Sequence, residues 1–222
     1  MNNVLIVGGA GYIGGQIAKN NPEWDVYDNL LFEKYFYLPN KFIFGDIRDT
    51  EKLSKILPKY DTVIWLAAIV GDGACTLNPL LTKEVNEYAT KWLVDNYDGR
   101  IIFMSTCSVY GVSKHSKVTE THPLKPITEY NKYKASCEKK FLNIIPSNIY
   151  GPYANFDSMN SMVVASLIRK VLDGENPLKV WGDGSAIRDF VYSEDVAEGM
   201  IQVVLKKIHF YVYQNLKLLM RK

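Results

Sequence analysis

The chain has 222 residues, of which 47% are hydrophobic and 23% charged, and its formal net charge at pH 7 is +2. This composition predicts a globular chain with one large core and argues against a disordered or nucleic-acid-binding protein. Three scattered cysteines fit neither a disulfide framework nor a metal site, and no apolar run approaches the roughly 20 residues that span a bilayer. We therefore expect a cytoplasmic protein with no metal, nucleic-acid or membrane partner.

The N-terminal segment combines a short apolar strand with regularly spaced glycines. Val4–Val7 is followed by Gly8, Gly11 and Gly14, and a helical pattern begins within this motif. In a dinucleotide site the first glycine permits the tight turn, the second lets backbone N–H groups approach a pyrophosphate, and the third lets the helix lie close to the sheet. Because the chain contains 15 glycines, this spacing alone is weak support.

Acidic residues follow the next two predicted strands. Asp28, after Val26 and Tyr27, can accept both adenosine ribose hydroxyls, and its charge disfavours a 2′-phosphate. Strand, glycines and acid together predict an NAD site rather than an NADP site. The following strand, Phe42–Phe44, leads to Asp46-Ile47, an acid–apolar pair of the kind that holds an adenine ring. A plain strand end explains this second pair equally well.

Strand and helix patterns alternate over the first 145 residues. Such alternation predicts an α/β fold, a doubly wound parallel sheet (Rossmann fold) with helices on both faces. Between the third and fourth of the clearest strands, Thr82–Asn96 has the apolar spacing of a crossover helix. The clearest strands are Val4–Val7, Phe42–Phe44, Val63–Ala67 and Ile101–Met104.

A second chemical cluster begins after the fourth of these strands. Thr106 follows the strand directly, and Tyr130 and Lys134 share one face of a predicted helix. A lysine ammonium lowers the pKa of a neighbouring phenol, so this pair can exchange a proton with a substrate hydroxyl that Thr106 holds. Spacing alone is not decisive, but only this pair opens a helix beyond a strand-end hydroxyl. Four tyrosines of the chain are followed by a lysine four positions later, in the pairs Tyr37/Lys41, Tyr110/Lys114, Tyr130/Lys134 and Tyr213/Lys217.

Taken together, these motifs resemble the extended short-chain dehydrogenase/reductases of the NAD-dependent nucleotide-sugar epimerase/dehydratase family, over about residues 1–205. The resemblance implies that Thr106, Tyr130 and Lys134 are catalytic, and that Thr106, Asn148 and Arg188 contact a nucleotide-diphosphate sugar. It also implies a homodimer that pairs through the crossover helix and the helix carrying Tyr130. The residues that it implies for NAD binding are Gly8, Gly11, Tyr12, Ile13, Gly14, Asp28, Asn29, Asp46, Ile47, Leu66, Ala67, Ala68, Asn86 and Lys134.

The reaction implied by this family begins with oxidation of the sugar. Tyr130 removes a hydroxyl proton while the hydride of the same carbon passes to NAD, which leaves a keto sugar. A dehydratase then eliminates water with an Asp–Glu pair directly after the catalytic threonine, where this chain has Cys107 and Ser108. The sequence therefore favours an epimerase, and Cys107 is expected to be a buried filler. A dehydratase, a keto-sugar reductase and a catalytically dead NAD-binding module remain the alternatives.

The C-terminal third departs from the family pattern. Only 14 positions separate Lys134 from Asn148, so a strand that the family has there is shortened and its arginine is absent. After Glu198 the chain has no acidic residue. This tail fits a truncated or frame-altered product, or a basic membrane-surface segment. We expect an NAD-binding domain over 1–145, a partial substrate-binding segment over 146–205 and an atypical basic tail over 206–222.

Overall fold

The computed structural model describes residues 3–32, 37–39, 41–113, 118–119, 121–137, 141–156, 161–180, 182–185 and 187–206. The strands are β1 (Val4–Val7), β2 (Asp25–Asp28), β3 (Phe42–Phe44), β4 (Thr62–Trp65), β5 (Arg100–Met104), β6 (Leu142–Ile144), β7 (Asn148–Tyr150) and β8 (Phe190–Tyr192). The α-helices are α1 (Tyr12–Asn20), α2 (Thr50–Ile56), α3 (Asp72–Leu77), α4 (Pro79–Lys83), α5 (Ala89–Asn96), α6 (Glu129–Cys137), α7 (Val163–Leu172) and α8 (Ser193–Leu205).

Six parallel strands form the main sheet, and β7 and β8 form a separate parallel pair. The order β3-β2-β1-β4-β5-β6 confirms the predicted doubly wound arrangement. From β1 the strand order runs to β2 and β3 on one side, and the chain then crosses to β4 on the other side of β1. At such a reversal a crevice opens at the carboxyl ends of β1 and β4. The glycine motif, which follows β1, lies at this crevice.

Both faces of the sheet are buried, as in parallel sheets covered by helices. Leu5 and Val7 of β1 pack into one core with Trp65 and Phe103. Ile6, which points to the opposite face, packs into a second core beneath α1 and α8. The continuous apolar composition of β1 follows from this double coverage.

Helix α8 covers the second face although it comes from the segment assigned to substrate binding. Ala197 and Met200 are fully buried in the same core as α1. At the end of α8 the Arg100 guanidinium donates to the carbonyl oxygens of Val203 (2.8 Å) and Val204 (3.2 Å). A cation at this position interacts favourably with the carbonyl groups at the C-terminal end of a helix.

Two strands of the main sheet are short. The segment before Asn148 still forms β6, which pairs with β5 and whose Ile144 carbonyl accepts from Ser105 N at 2.9 Å. Strand β4 ends at Trp65 instead of Ala67, because Leu66 N and Ala67 N both turn toward Val7 O. The predicted crossover helix begins earlier, at Pro79, and contains a π-helical turn at Glu84–Tyr88.

No helix among the described residues has the length and apolar character needed to cross a membrane. Residues 207–222, which make up nearly all of the basic tail, lie outside the described residues.

Candidate active site

The glycine motif forms a cradle at the start of α1. A Cβ atom on Gly8, whose φ is +81°, would lie 2.5 Å from Ala67 N, and one on Gly14 would lie 2.5 Å from Gly8 O. These two glycines therefore allow close backbone packing. A Cβ on Gly11 would meet only Gly8 O, at 3.4 Å. Because Gly11 is the N-cap of α1 and provides no side-chain cap, the helix start can receive an anionic pyrophosphate.

Asp28 lies at the end of β2 beside this cradle. Its Oδ2 accepts from Ala10 N at 3.0 Å and its Oδ1 accepts from Leu30 N at 2.8 Å. A carboxylate offers about four lone-pair sites, so both oxygens can accept a further bond. This geometry fits a pair of ribose hydroxyls.

Asn29 and Asp46 meet at the ends of β2 and β3. Asn29 Nδ2 donates to Asp46 Oδ2 at 2.9 Å, and the Arg48 guanidinium donates to both oxygens of the same carboxylate. These bonds, led by those from Arg48, lower the pKa of Asp46 to about 2. Ile47 is buried, with 6% of its surface exposed. The structure therefore brings the predicted ribose and adenine residues to one edge of the sheet.

Asn86 holds the loop that follows β4. Its Oδ1 accepts from Ile69 N and its Nδ2 donates to Ile69 O, both at 2.9 Å. The side chain lies in the π-helical turn and is 4% exposed. Such turns are frequent at functional sites. Asn86 therefore fixes the loop backbone at Ile69, directly after the predicted cofactor residues Leu66, Ala67 and Ala68.

Replacing Asn86 with leucine is expected to lower the free energy of unfolding by about 2–4 kcal/mol, because two buried backbone groups lose their partners. Urea denaturation measures this change. Asn96→Leu is the matched control, since Asn96 Nδ2 donates to Trp92 O on an exposed face of the same helix. Its effect is expected to stay within about 0.5 kcal/mol. Equal effects of both substitutions would contradict the clamping role.

Thr106, Tyr130 and Lys134 converge at the carboxyl end of β5. Lys134, on α6, is 4% exposed, and its Nζ donates to Met104 O at 2.8 Å. The same Nζ lies 5.9 Å from the Tyr130 ring centroid. Thr106, two residues beyond Met104, caps a 3₁₀ turn, and its hydroxyl accepts from Ser108 N at 3.3 Å. The strand end and α6 thus bring a hydroxyl, a phenol and an ammonium into one region.

Cys107 lies next to Thr106 and is half-buried rather than fully buried as expected, and its backbone N–H donates to Pro146 O at 3.0 Å. Burial, together with the nearby Asp189 carboxylate, raises the pKa of the Cys107 thiol. A thiol in this environment stays protonated at neutral pH and is a poor proton donor or nucleophile.

The predicted substrate residues lie at one end of the β7–β8 pair. Asn148 donates to Asp189 O twice, from its backbone N (3.2 Å) and from Nδ2 (2.8 Å). Arg188 is exposed, and its Nη1 donates to Ile187 O at 3.0 Å. Because Asp189 and Arg188 both act electrostatically on Cys107, this end of the pair lies close to Thr106. Trp181 and Ala186, which precede Arg188 in the chain, lie outside the described residues.

Two features of the site differ from a reading of the sequence alone. Arg48, which pairs with Asp46, was not among the predicted residues. The signal that could have identified this ion pair is the position of an arginine two residues after the acid. The Tyr12 hydroxyl is buried, and this burial raises its pKa. Tyr12 packs into the core that contains α8.

Among the described residues no cluster of His, Cys, Asp and Glu could hold a metal ion.

Comparison with known proteins gives a consistent family assignment. A UDP-glucose 4-epimerase from Rhizobium meliloti is 27% identical, covering 91% of this chain and 72% of that protein. The crystal structure of UDP-glucose 4-epimerase from Brucella ovis in complex with NAD has a TM-score of 0.80 at 25% identity, covering 93% of this chain and 74% of that one. A dTDP-glucose 4,6-dehydratase from Streptomyces venezuelae with NAD and TYD bound has a TM-score of 0.75 at 26% identity, over 91% and 71% of the two chains.

The sequence pattern of one family matches this chain from residue 4 to residue 213. Its span includes the glycine cradle, the acidic strand ends, the Tyr130 and Lys134 pair and the β7–β8 pair. The chain therefore belongs to the NAD dependent epimerase/dehydratase family.

Proposed function

We propose that this chain catalyses the NAD-dependent epimerisation of a nucleotide-diphosphate sugar through a transient keto sugar. The observation that carries the proposal is the convergence of Tyr130, Lys134 and Thr106 at the end of β5, on the same sheet edge as the glycine cradle.

The residues around the cradle fit NAD. Gly11 leaves open space at the start of α1 for the pyrophosphate, and Asp28 has lone pairs for both ribose hydroxyls. The Asp46 carboxylate accepts a hydrogen bond from the amino group of adenine, and the adenine ring lies against the buried Ile47. When bound, NAD supplies a reversible acceptor for the hydride of the sugar carbon. A 2′-phosphate would meet the negative charge of Asp28, so NADP binds more weakly.

The catalytic side chains handle the proton of the sugar hydroxyl. Thr106 holds this hydroxyl by a hydrogen bond, and Tyr130 Oη takes its proton as the C–H bond of the same carbon breaks. The Lys134 ammonium favours the phenolate form of Tyr130 and is fixed by Met104 O at 2.8 Å. When the keto sugar is reduced again from its other face, Tyr130 returns the proton to the oxygen. Asn148 and Arg188 contact the sugar nucleotide, Arg188 by pairing its exposed cation with the diphosphate.

Epimerisation is favoured over dehydration by the residues after Thr106. Elimination of water needs an acid and a base there, whereas the chain has a serine and a thiol whose pKa is raised. The two activities differ in their products. We expect incubation with NAD and UDP-glucose, or with GDP- and dTDP-sugars in parallel, to give the epimeric sugar nucleotide on chromatography. A 4-keto-6-deoxy sugar as the main product would assign a dehydratase instead.

We further propose that the protein is a cytoplasmic homodimer. A large exposed side chain on the crossover helix supports a pairing surface, since Leu80 is 66% exposed. Light scattering of the purified chain is expected to give twice the monomer mass, and Leu80→Asp to give the monomer.

A further inference from the structure

The Asp46 carboxylate is saturated with hydrogen-bond donors. Its Oδ1 accepts from the backbone N (2.8 Å) and Nε (3.0 Å) of Arg48. Its Oδ2 accepts from Arg48 Nη2 (2.8 Å) and from Asn29 Nδ2 (2.9 Å). Because a carboxylate offers about four lone-pair sites, all of them are engaged. Any further N–H donor at this carboxylate has to replace one of the four bonds.

Under the proposed function, on which this inference rests, the further donor is the adenine amino group. Two of the four bonds come from donors held locally: the backbone N of Arg48 belongs to the turn after Asp46, and Asn29 is fixed because its Oδ1 accepts from Leu31 N at 3.1 Å. The other two bonds, from Arg48 Nε and Nη2, both come from one guanidinium, and this group has a second acceptor. Its Nη1 donates to Glu84 Oε2 at 2.9 Å.

The surroundings of Arg48 leave room for its guanidinium to move. Its side chain is 41% exposed and that of Glu84 is 36% exposed. A cavity of about 590 Å³ lies beside the pair, with Tyr88 and Trp92 of the crossover helix in its wall. The guanidinium can therefore turn away from Asp46 while it keeps its bond to Glu84.

We infer that Arg48 is a displaceable donor on the adenine acceptor of this chain, and that NAD binding transfers its guanidinium from Asp46 to Glu84. Hydrogen bonds in which both partners are charged are stronger than those from a neutral amino group. Arg48 therefore weakens NAD binding by competing for Asp46, and Glu84 reduces this competition by offering a second acceptor.

Isothermal titration of the full chain with NAD tests this exchange. Arg48→Met is expected to tighten NAD binding by at least about threefold, the size of a modest hydrogen bond. Glu84→Leu is expected to weaken it by a similar factor, because the guanidinium then has only Asp46. These opposite signs do not depend on enzyme activity. Lys55→Met, which removes an exposed cation of α2 whose salt bridge is with Glu51, controls for the loss of positive charge and is expected to change nothing.

A second dinucleotide isolates the contribution that the adenine amino group makes to binding. Nicotinamide purine dinucleotide has hydrogen in its place, so Arg48→Met is expected to leave its affinity within about twofold of wild type. Weaker NAD binding by Arg48→Met, or equal tightening for both dinucleotides, would overturn the inference while leaving the proposed function intact. If the wild-type chain binds neither dinucleotide, both the proposed function and this inference fail.

Discussion

Tyr130→Phe is expected to lower kcat for epimerisation by about 10²- to 10⁴-fold, the usual contribution of a general acid or base. The substitution removes only the phenolic oxygen, and the ring of Tyr130 keeps its packing against the core beside Phe103 and Lys134. Rates of epimer formation under saturating sugar nucleotide measure the effect.

The binding of NAD separates this catalytic role from a structural one. Its dissociation constant and the thermal midpoint are expected to be the same for Tyr130→Phe and the wild type. Tyr133→Phe, on the same helix, serves as the control and is expected to retain full activity. A wild-type chain that binds NAD without turnover, unaffected by Tyr130→Phe, would instead indicate a catalytically dead binding module.

Gly14→Ala is expected to lower the free energy of unfolding by about 3 kcal/mol, because atoms forced into a packed interior cost roughly 1–3 kcal/mol or more. Inside a helix, alanine is otherwise favoured over glycine by about 1 kcal/mol. At Gly14 the added Cβ would lie 2.5 Å from Gly8 O and 2.6 Å from Gly9 Cα, and backbone atoms cannot rotate away. The clash therefore outweighs the gain in helix propensity. Urea denaturation measures the resulting change in the free energy of unfolding.

Two further glycines provide matched controls. Gly199 lies in α8, and a Cβ there meets nothing within 4 Å, so Gly199→Ala is expected to stabilise the protein by about 0.5–1 kcal/mol. Gly11→Ala is expected to preserve the fold but weaken NAD binding by about tenfold or more, because its Cβ enters the space assigned to the pyrophosphate. If Gly14→Ala were as stable as Gly199→Ala, the close approach of α1 to the glycine turn would be refuted.

The parts of the fold that depend on local sequence could be predicted. Strand β1 and the glycine turn were predicted correctly because apolar pattern and turn chemistry are both contained within a few residues. The shortened segment before Asn148 was also predicted, and the structure shows that three residues, Leu142–Ile144, still pair with β5. Backbone pairing with a neighbouring strand is what makes so short a strand stable.

The parts that depend on distant partners could not be predicted. Asn86 is recognisable in the sequence, but its bonds to Ile69 become visible only when the helix is packed against the sheet. The bond from Arg48 to Glu84 could not be predicted because the two residues lie 36 positions apart. The end of β4 was placed too late for a similar reason, since two successive N–H groups turn to one carbonyl of β1. Each of these features is tertiary rather than local.

Thermal unfolding with NAD and with NADP tests the NAD-dependent account most directly. A cooperative transition is expected, with NAD at 100 times its dissociation constant adding about 2.7 kcal/mol to the stability of the folded chain. NADP at the same concentration is expected to add much less, because its 2′-phosphate meets the Asp28 carboxylate. A midpoint that NAD does not raise, or that NADP raises equally, would contradict the account.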